Sequence, residues 1–156
     1  MSNYNYGYWE VSIEKHGRMK LPTALLKSLP EDERKNFWLA HGFGKHIMLW
    51  TKKAYEEQMD FLNSLNRNDV KVKRYRNAFL RNIANVECDA QDRFVIPKPL
   101  LDMYEIDKEV VLLLDNGRIE IWNHTEYHNQ FAMLPSELEE LNALIHSEHF
   151  QKQNQN

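Results

Sequence analysis

Apolar residues along this chain recur with two periods, one typical of strands and one typical of helices. Alternation of apolar and polar positions predicts strands over 8–13, 19–21, 37–41 and 45–50. Pro22 and Pro30 bracket a short predicted helix over 23–29, and Thr51 is placed to cap a longer helix that runs to about residue 66. Later in the chain, 115–117 reads as a hairpin turn, and Asn123 is placed to cap a further helix with Glu126 three residues on.

The pattern occurs twice. At an offset of 75 residues, five positions of the first half recur in the second: Val11, Arg18, Pro22, Leu25 and Leu26 as Val86, Arg93, Pro97, Leu100 and Leu101. A loop is three residues shorter in the second copy. Beyond it, Ile47, Leu49, Trp50 and Tyr55 recur as Ile119, Ile121, Trp122 and Tyr127. These matches predict two repeats, 7–53 and 83–126. Because units of about 45 residues rarely hold a core alone, the two are expected to share one.

Composition narrows the class of protein. The chain has 156 residues, of which 42% are apolar, and its single cysteine allows no internal disulfide. No apolar run approaches the ~18 residues of a membrane span, and the N-terminus does not resemble a signal peptide. We therefore expect a cytoplasmic protein without a membrane partner. Cys88, which aligns with Ile13 of the first repeat, is expected to be a small apolar strand residue.

The net charge of −3 argues against a nucleic-acid partner, but the charge is distributed unevenly. Residues 1–66 carry +1, residues 67–82 carry +5 and residues 83–156 carry −9. The segment 67–82 predicts a basic helix between the repeats, with Val72, Tyr75 and Phe79 on one side and Lys71, Arg74 and Arg81 on the other. Such a helix either adds contacts to phosphates or is simply solvated. The segment 147–156 is expected to be a frayed polar tail.

Two short motifs occupy equivalent places in the repeats. Residues 14–22 read Glu-Lys-His-Gly-Arg-Met-Lys-Leu-Pro, and residues 89–97 read Asp-Ala-Gln-Asp-Arg-Phe-Val-Ile-Pro. They resemble the Asp-x-Lys-Gly-Arg turn that marks each SpoVT-AbrB-type repeat of the MraZ family of bacterial transcriptional regulators. The run 106–122 is also similar to the family's second repeat, and the resemblance covers roughly residues 6–131.

The resemblance implies a fold and a function. The fold is an α+β, mainly β, pseudo-twofold swapped-hairpin AbrB-like barrel made of two repeats with flanking helices. The function is that of a nucleoid-associated homo-oligomeric ring that binds double-stranded DNA at short direct repeats in a promoter. Family members generally repress the operon for cell division and cell-wall synthesis. No cofactor, metal or small-molecule substrate is expected.

The motif positions give the candidate DNA-binding residues. Arg18 and Arg93 match the family's arginine, and an arginine on a tight turn can extend its donors into a groove or onto a phosphate. Gly17 allows a positive φ at the first turn. The full set of candidates is Lys15, His16, Gly17, Arg18, Lys20 and Arg93, with Lys71 and Arg74 on the basic helix.

Three departures from the motif affect this interpretation. Glu14 replaces the aspartate, so a short hydrogen bond that closes the turn is expected to change. His16 replaces a lysine, which removes a positive charge at neutral pH. Asp92 replaces the second glycine; aspartate tolerates the left-handed conformation, but its charge repels phosphate. The second motif is therefore expected to contact DNA weakly, with Arg93 paired to Asp89 or Asp92.

Two alternatives to a DNA-binding regulator belong to other functional classes. A ring-forming structural or interaction protein that has lost much of its DNA affinity is the main alternative, favoured by His16, Asp92 and the acidic second half. An enzyme is not expected, because the chain has neither a phosphate-binding glycine loop nor a nucleophile elbow. His124 and His128 are spaced as two metal ligands on a helix would be, but without a further ligand pair they predict a solvent-facing helix.

Overall fold

The structure, a computed structural model, describes residues 5–154. Its strands and α-helices follow in the order β1 (Tyr6–Ser12), β2 (Arg18–Lys20), α1 (Thr23–Lys27), β3 (Asn36–His41), β4 (Ile47–Thr51), α2 (Lys52–Ser64), α3 (Val70–Arg81), β5 (Ala84–Glu87), β6 (Arg93–Val95), α4 (Lys98–Met103), β7 (Glu109–Asp115), β8 (Arg118–Asn123), α5 (His124–Phe131) and α6 (Pro135–Asn154). The strands and helices predicted from the apolar pattern are present with small shifts at their ends.

The predicted helix caps and hairpin turn are confirmed. The Thr51 hydroxyl accepts a hydrogen bond from the Ala54 N–H at 3.3 Å, which satisfies a donor at the start of α2. The Asn123 side-chain oxygen accepts from the Glu126 N–H at 3.0 Å at the start of α5. Asn116 and Gly117 both have positive φ, 52° and 85°, as a two-residue hairpin turn between β7 and β8 requires.

Strands from the two halves of the chain alternate across one antiparallel sheet. Its order is β1-β7-β8-β4-β3-β5, while β2 and β6 pair separately as a short ribbon. β1 therefore pairs with the β7–β8 hairpin, and β5 pairs with the β3–β4 hairpin. Neither half completes its own part of the sheet, so the halves depend on each other for their hydrogen bonds.

The mixed α+β class and the antiparallel sheet are confirmed, but the predicted closed barrel is wrong. Within residues 5–154, β1 and β5 lie at the two edges of an open sheet. The strands that could have bridged the edges, β2 and β6, have only three residues each. Pro22 and Pro97 follow them closely and cannot donate the ladder hydrogen bonds that longer strands would need.

The sheet separates two apolar clusters. On one face, the main core joins alternate residues of the sheet, such as Leu39 and Leu49, to Met19 of β2 and Phe94 of β6. On the other face, the intervening residues of β3 and β4 pack against α2 and α3 in a smaller cluster that includes Trp50 and Phe79. All five residues of β4 are buried because it lies between the two clusters.

The chain forms two compact units, Met1–Glu126 and Tyr127–Asn156. α6 supplies most of the second unit and continues to Asn154, so residues 147–154 of the predicted frayed tail are helical. No glycine or proline follows Pro135, and the segment is rich in residues that favour helices. No helix among residues 5–154 is long and apolar enough to cross a membrane.

Candidate nucleic-acid interface

The two predicted motif turns come together at the β2–β6 ribbon. β2 and β6 are antiparallel, with Arg18 opposite Val95 and Lys20 opposite Arg93. Each turn is closed by an equivalent backbone hydrogen bond, from Glu14 N–H to the Arg18 carbonyl at 2.7 Å and from Asp89 N–H to the Arg93 carbonyl at 2.9 Å. The buried side chains of Met19 and Phe94 fix the ribbon on the main core and leave the turns at the surface.

The predicted left-handed conformations are confirmed at both turns. Gly17 has a φ of 74°, and Asp92, at the equivalent position, has a φ of 62°. A second left-handed residue, His16 with a φ of 63°, was not predicted. Histidine is among the non-glycine residues that adopt this conformation more readily than most.

The two turns differ because their acidic residues differ in length. Asp89 closes its own turn: one carboxylate oxygen accepts from the N–H groups of Gln91 and Arg93, both at 2.9 Å. Glu14 caps nothing in its own turn. The substitution of glutamate for aspartate was expected to alter a bond of this kind, and it frees the Glu14 carboxylate to reach the other turn.

Reciprocal ion pairs connect the turns. The Arg93 guanidinium donates two hydrogen bonds to Glu14, at 2.8 and 3.0 Å. Arg18 makes a single contact with Asp89, at 3.2 Å. Each motif arginine is thus paired with the acidic residue of the opposite motif. The predicted Arg93 partners, Asp89 and Asp92, are wrong, because Asp89 turns inward to its own backbone and to Arg18.

The ionisation of these groups follows from the contacts. Hydrogen bonds from Arg93 hold the pKa of Glu14 below its ordinary value, with the charges of Arg18 and Lys20 adding to the effect. The pKa of Asp89 is also lowered, first by the Arg93 backbone N–H. The bidentate partner Glu14 raises the pKa of Arg93. These shifts keep the Glu14 and Asp89 carboxylates and the Arg93 guanidinium charged at neutral pH.

The arginines differ in how freely they can leave their partners. The Arg18 side chain is 49% exposed and held by one contact, whereas the Arg93 side chain is 26% exposed and held by two. Lys15 and Lys20 are exposed, and neither forms an ion pair within residues 5–154. The first turn thus presents exposed positive charge, while Asp92 adds negative charge to the second.

The basic helix α3 lies on a different surface. Asp69 caps it by accepting from the Lys71 N–H at 2.8 Å, and Phe79 anchors it in the smaller cluster. Lys71 and Arg74 are exposed, as the helical pattern predicts. Because the ribbon packs on one face of the sheet and α3 on the other, the structure does not bring these two residues together with the motif turns.

Comparison with known proteins gives a consistent picture. Residues 79–144 match a family model described as "MraZ protein, putative antitoxin-like". The chain is 31% identical over 117 residues to a protein named Transcriptional regulator MraZ from Methylococcus capsulatus, covering 75% of this chain and 77% of that one. Proteins of the same name from Cytophaga hutchinsonii and Christiangramia forsetii are 27% and 30% identical, covering 86% and 78% of this chain and 89% and 79% of theirs.

Proposed function

The chain belongs to the MraZ family of transcriptional regulators, and on that premise we propose that it binds double-stranded DNA through the motif turns of the β2–β6 ribbon. The observation that carries the proposal is the exposed, cationic first turn. Lys15, Arg18 and Lys20 lie within six residues, and the one ion pair among them is single and half exposed.

The residues of the first turn have distinct roles. Arg18 exchanges the Asp89 carboxylate for a phosphate or a base edge, which is possible because solvent-exposed ion pairs are weak in water. Lys15 and Lys20 contribute charge and counterion release. Gly17 and His16 shape the turn through their positive φ, so that the DNA backbone can approach closely.

Arg93 contributes less to DNA binding. Its two hydrogen bonds to Glu14 keep it beside the ribbon, where it positions the first turn by fixing the Glu14 carboxylate. Lys71 and Arg74 stay a predicted second contact, on a separate surface.

Affinity is proposed to come from repetition. One turn makes few contacts, so a ring of subunits on direct DNA repeats multiplies them when subunit spacing matches repeat spacing. Strands of the two predicted repeats, 7–53 and 83–126, pair with each other in one sheet. This shared sheet would hold the motif turns in the same geometry in every subunit. The regulated genes are proposed to be the division and cell-wall cluster, repressed by a cytoplasmic, nucleoid-associated assembly.

A salt titration of binding to DNA from the chain's own upstream region tests the proposal. The logarithm of the DNA-binding constant falls linearly with the logarithm of the salt concentration, with a slope of about 0.9 for each phosphate that the protein neutralises. We expect Arg18→Ala to reduce that slope by about 1 for each subunit on the DNA and Arg93→Ala to change it less. Asp92→Gly should strengthen binding, because it removes a charge that repels phosphate.

The matched control is a scrambled DNA of the same length, which separates sequence-specific binding from charge alone. Equal, negligible binding by the wild type and all three variants would instead support the alternative, a ring-forming structural or interaction protein. The acidic second half of the chain and Asp92 favour that alternative.

A further inference from the structure

An exposed apolar row begins at Leu134, the residue before α6, and continues along that helix. Leu134, Leu138, Leu141 and Ile145 are spaced by 4, 3 and 4 residues, which places them within about 60° of one another on a helix. Their exposed fractions are 63%, 58%, 37% and 54%. An exposed apolar row of this length is typical of an interaction surface.

Acidic residues flank this row. Glu137 and Glu148 lie beside it on the helix, and α6 as a whole has four glutamates against one lysine. Two copies of α6 would therefore repel each other if they paired side by side. The charge pattern favours a basic partner that also offers apolar contact.

The exposed side of α3 has this chemistry. α3 contains five lysines and arginines and no acidic residue. Val70, Arg74 and Arg81 form an exposed row within about 40° of one another on the helix. Arginine stems pack on apolar side chains while their guanidinium groups reach carboxylates nearby, so this row can cover the leucines of α6 and pair with its glutamates.

We propose that α6 of one subunit docks on α3 of a second copy of this chain. The two surfaces are different, so the contact is head-to-tail and each subunit keeps one free α6 and one free α3 until a ring closes. The inference rests on the ring assembly in the proposed function and identifies its interface. It replaces the predicted second DNA contact at Arg74 with a subunit contact, and DNA binding then rests on the motif turns alone.

Charge reversal of the full-length chain tests the docking. One variant, Arg74→Glu with Arg81→Glu, reverses the charge of the exposed row of α3, and a second, Glu137→Lys with Glu148→Lys, reverses the charge beside the apolar row of α6. Each variant alone sets like charges against each other and is expected to fall to the monomer mass of 18.7 kDa by light scattering. An equimolar mixture is expected to regain the wild-type mass, because each variant's reversed surface then matches the other's.

Two control variants reverse charges outside the proposed contact. Lys27→Glu on α1 and Glu139→Lys on the far side of α6 should leave the assembly unchanged. A monomeric wild type would overturn the proposal. So would an α3 variant that assembles like the wild type while the α6 variant does not, which indicates α6 self-pairing. A mixture of the two variants that stays monomeric would overturn it as well.

The same samples separate this proposal from the proposed function. Arg18→Ala is expected to keep the wild-type mass and lose specific DNA binding. If Arg18→Ala behaves in this way while charge reversal leaves the mass unchanged, the docking is wrong and DNA binding by the turns stands.

Discussion

Replacing Gly17 by alanine tests whether the first motif turn depends on its left-handed conformation. A Cβ at this position would lie 2.6 Å from the Ile96 carbonyl oxygen. That carbonyl cannot move freely, because the N–H of the same residue donates to the Gly17 carbonyl at 2.9 Å. Alanine therefore strains both its own backbone and the end of the β2–β6 ribbon.

The loss of stability in Gly17→Ala has three contributions. A left-handed φ of 74° costs an alanine about 1–2 kcal/mol. Weakening the bond to Ile96 adds about 1 kcal/mol, and the lower entropy of the unfolded alanine chain returns up to about 1 kcal/mol. The expected net loss is about 2 kcal/mol, or a fall in Tm of about 6 °C for a chain of this size.

Thermal unfolding followed by circular dichroism measures this shift, and Asp92→Gly is the matched control. Asp92 occupies the equivalent position with a φ of 62°, so glycine there relieves strain at the cost of unfolded-state entropy. We expect Asp92→Gly to change Tm by less than about 3 °C. A shift in Tm of less than about 2 °C for Gly17→Ala, or an equal fall in Tm for both variants, would show that the first turn does not depend on the left-handed glycine.

Three further predictions concern the core and a cap. Phe79→Ala should lower the free energy of unfolding in urea by about 3–5 kcal/mol, because the ring is 2% exposed and packs edge-on against Trp50 at 6.1 Å; an unchanged midpoint would contradict this. Thr51→Ala should cost about 1 kcal/mol in the same assay by removing the bond to the Ala54 N–H, and a neutral result would show that the cap is not needed. Burial raises the pKa of the Cys88 thiol to about 12 from an ordinary 9.0, so the native state keeps a proton that the unfolded state loses. Stability should therefore fall as pH rises from 9 towards 12, and less steeply in Cys88→Ala, whereas identical pH profiles would rule this out.

Much of the fold follows from local features that the sequence displays directly. The strands are visible as alternation, and the caps at Thr51 and Asn123 as hydrogen-bonding residues before helices. Cys88 is buried, as its alignment with Ile13 indicates. The left-handed turns at Gly17 and Asp92 follow from which side chains tolerate that conformation.

Other features depend on contacts between residues far apart in the chain. Arg93 pairs with Glu14, 79 residues away, rather than with its neighbours in sequence. The predicted barrel fails for a similar reason, since closure depends on the lengths of β2 and β6 together with the positions of the sheet edges. Local periodicity carries no information about either outcome.

The element types follow from local sequence, because backbone preferences and apolar periods act over a few residues, and the motif residues carry the family resemblance. Which charges are available to a partner depends on the tertiary structure. Antiparallel pairing of β2 with β6 brings each motif arginine to the other motif's carboxylate, while the sheet separates α3 from the turns. The energy of an electrostatic interaction depends on the distance between the charges, and for residues far apart in the sequence that distance is set by the fold.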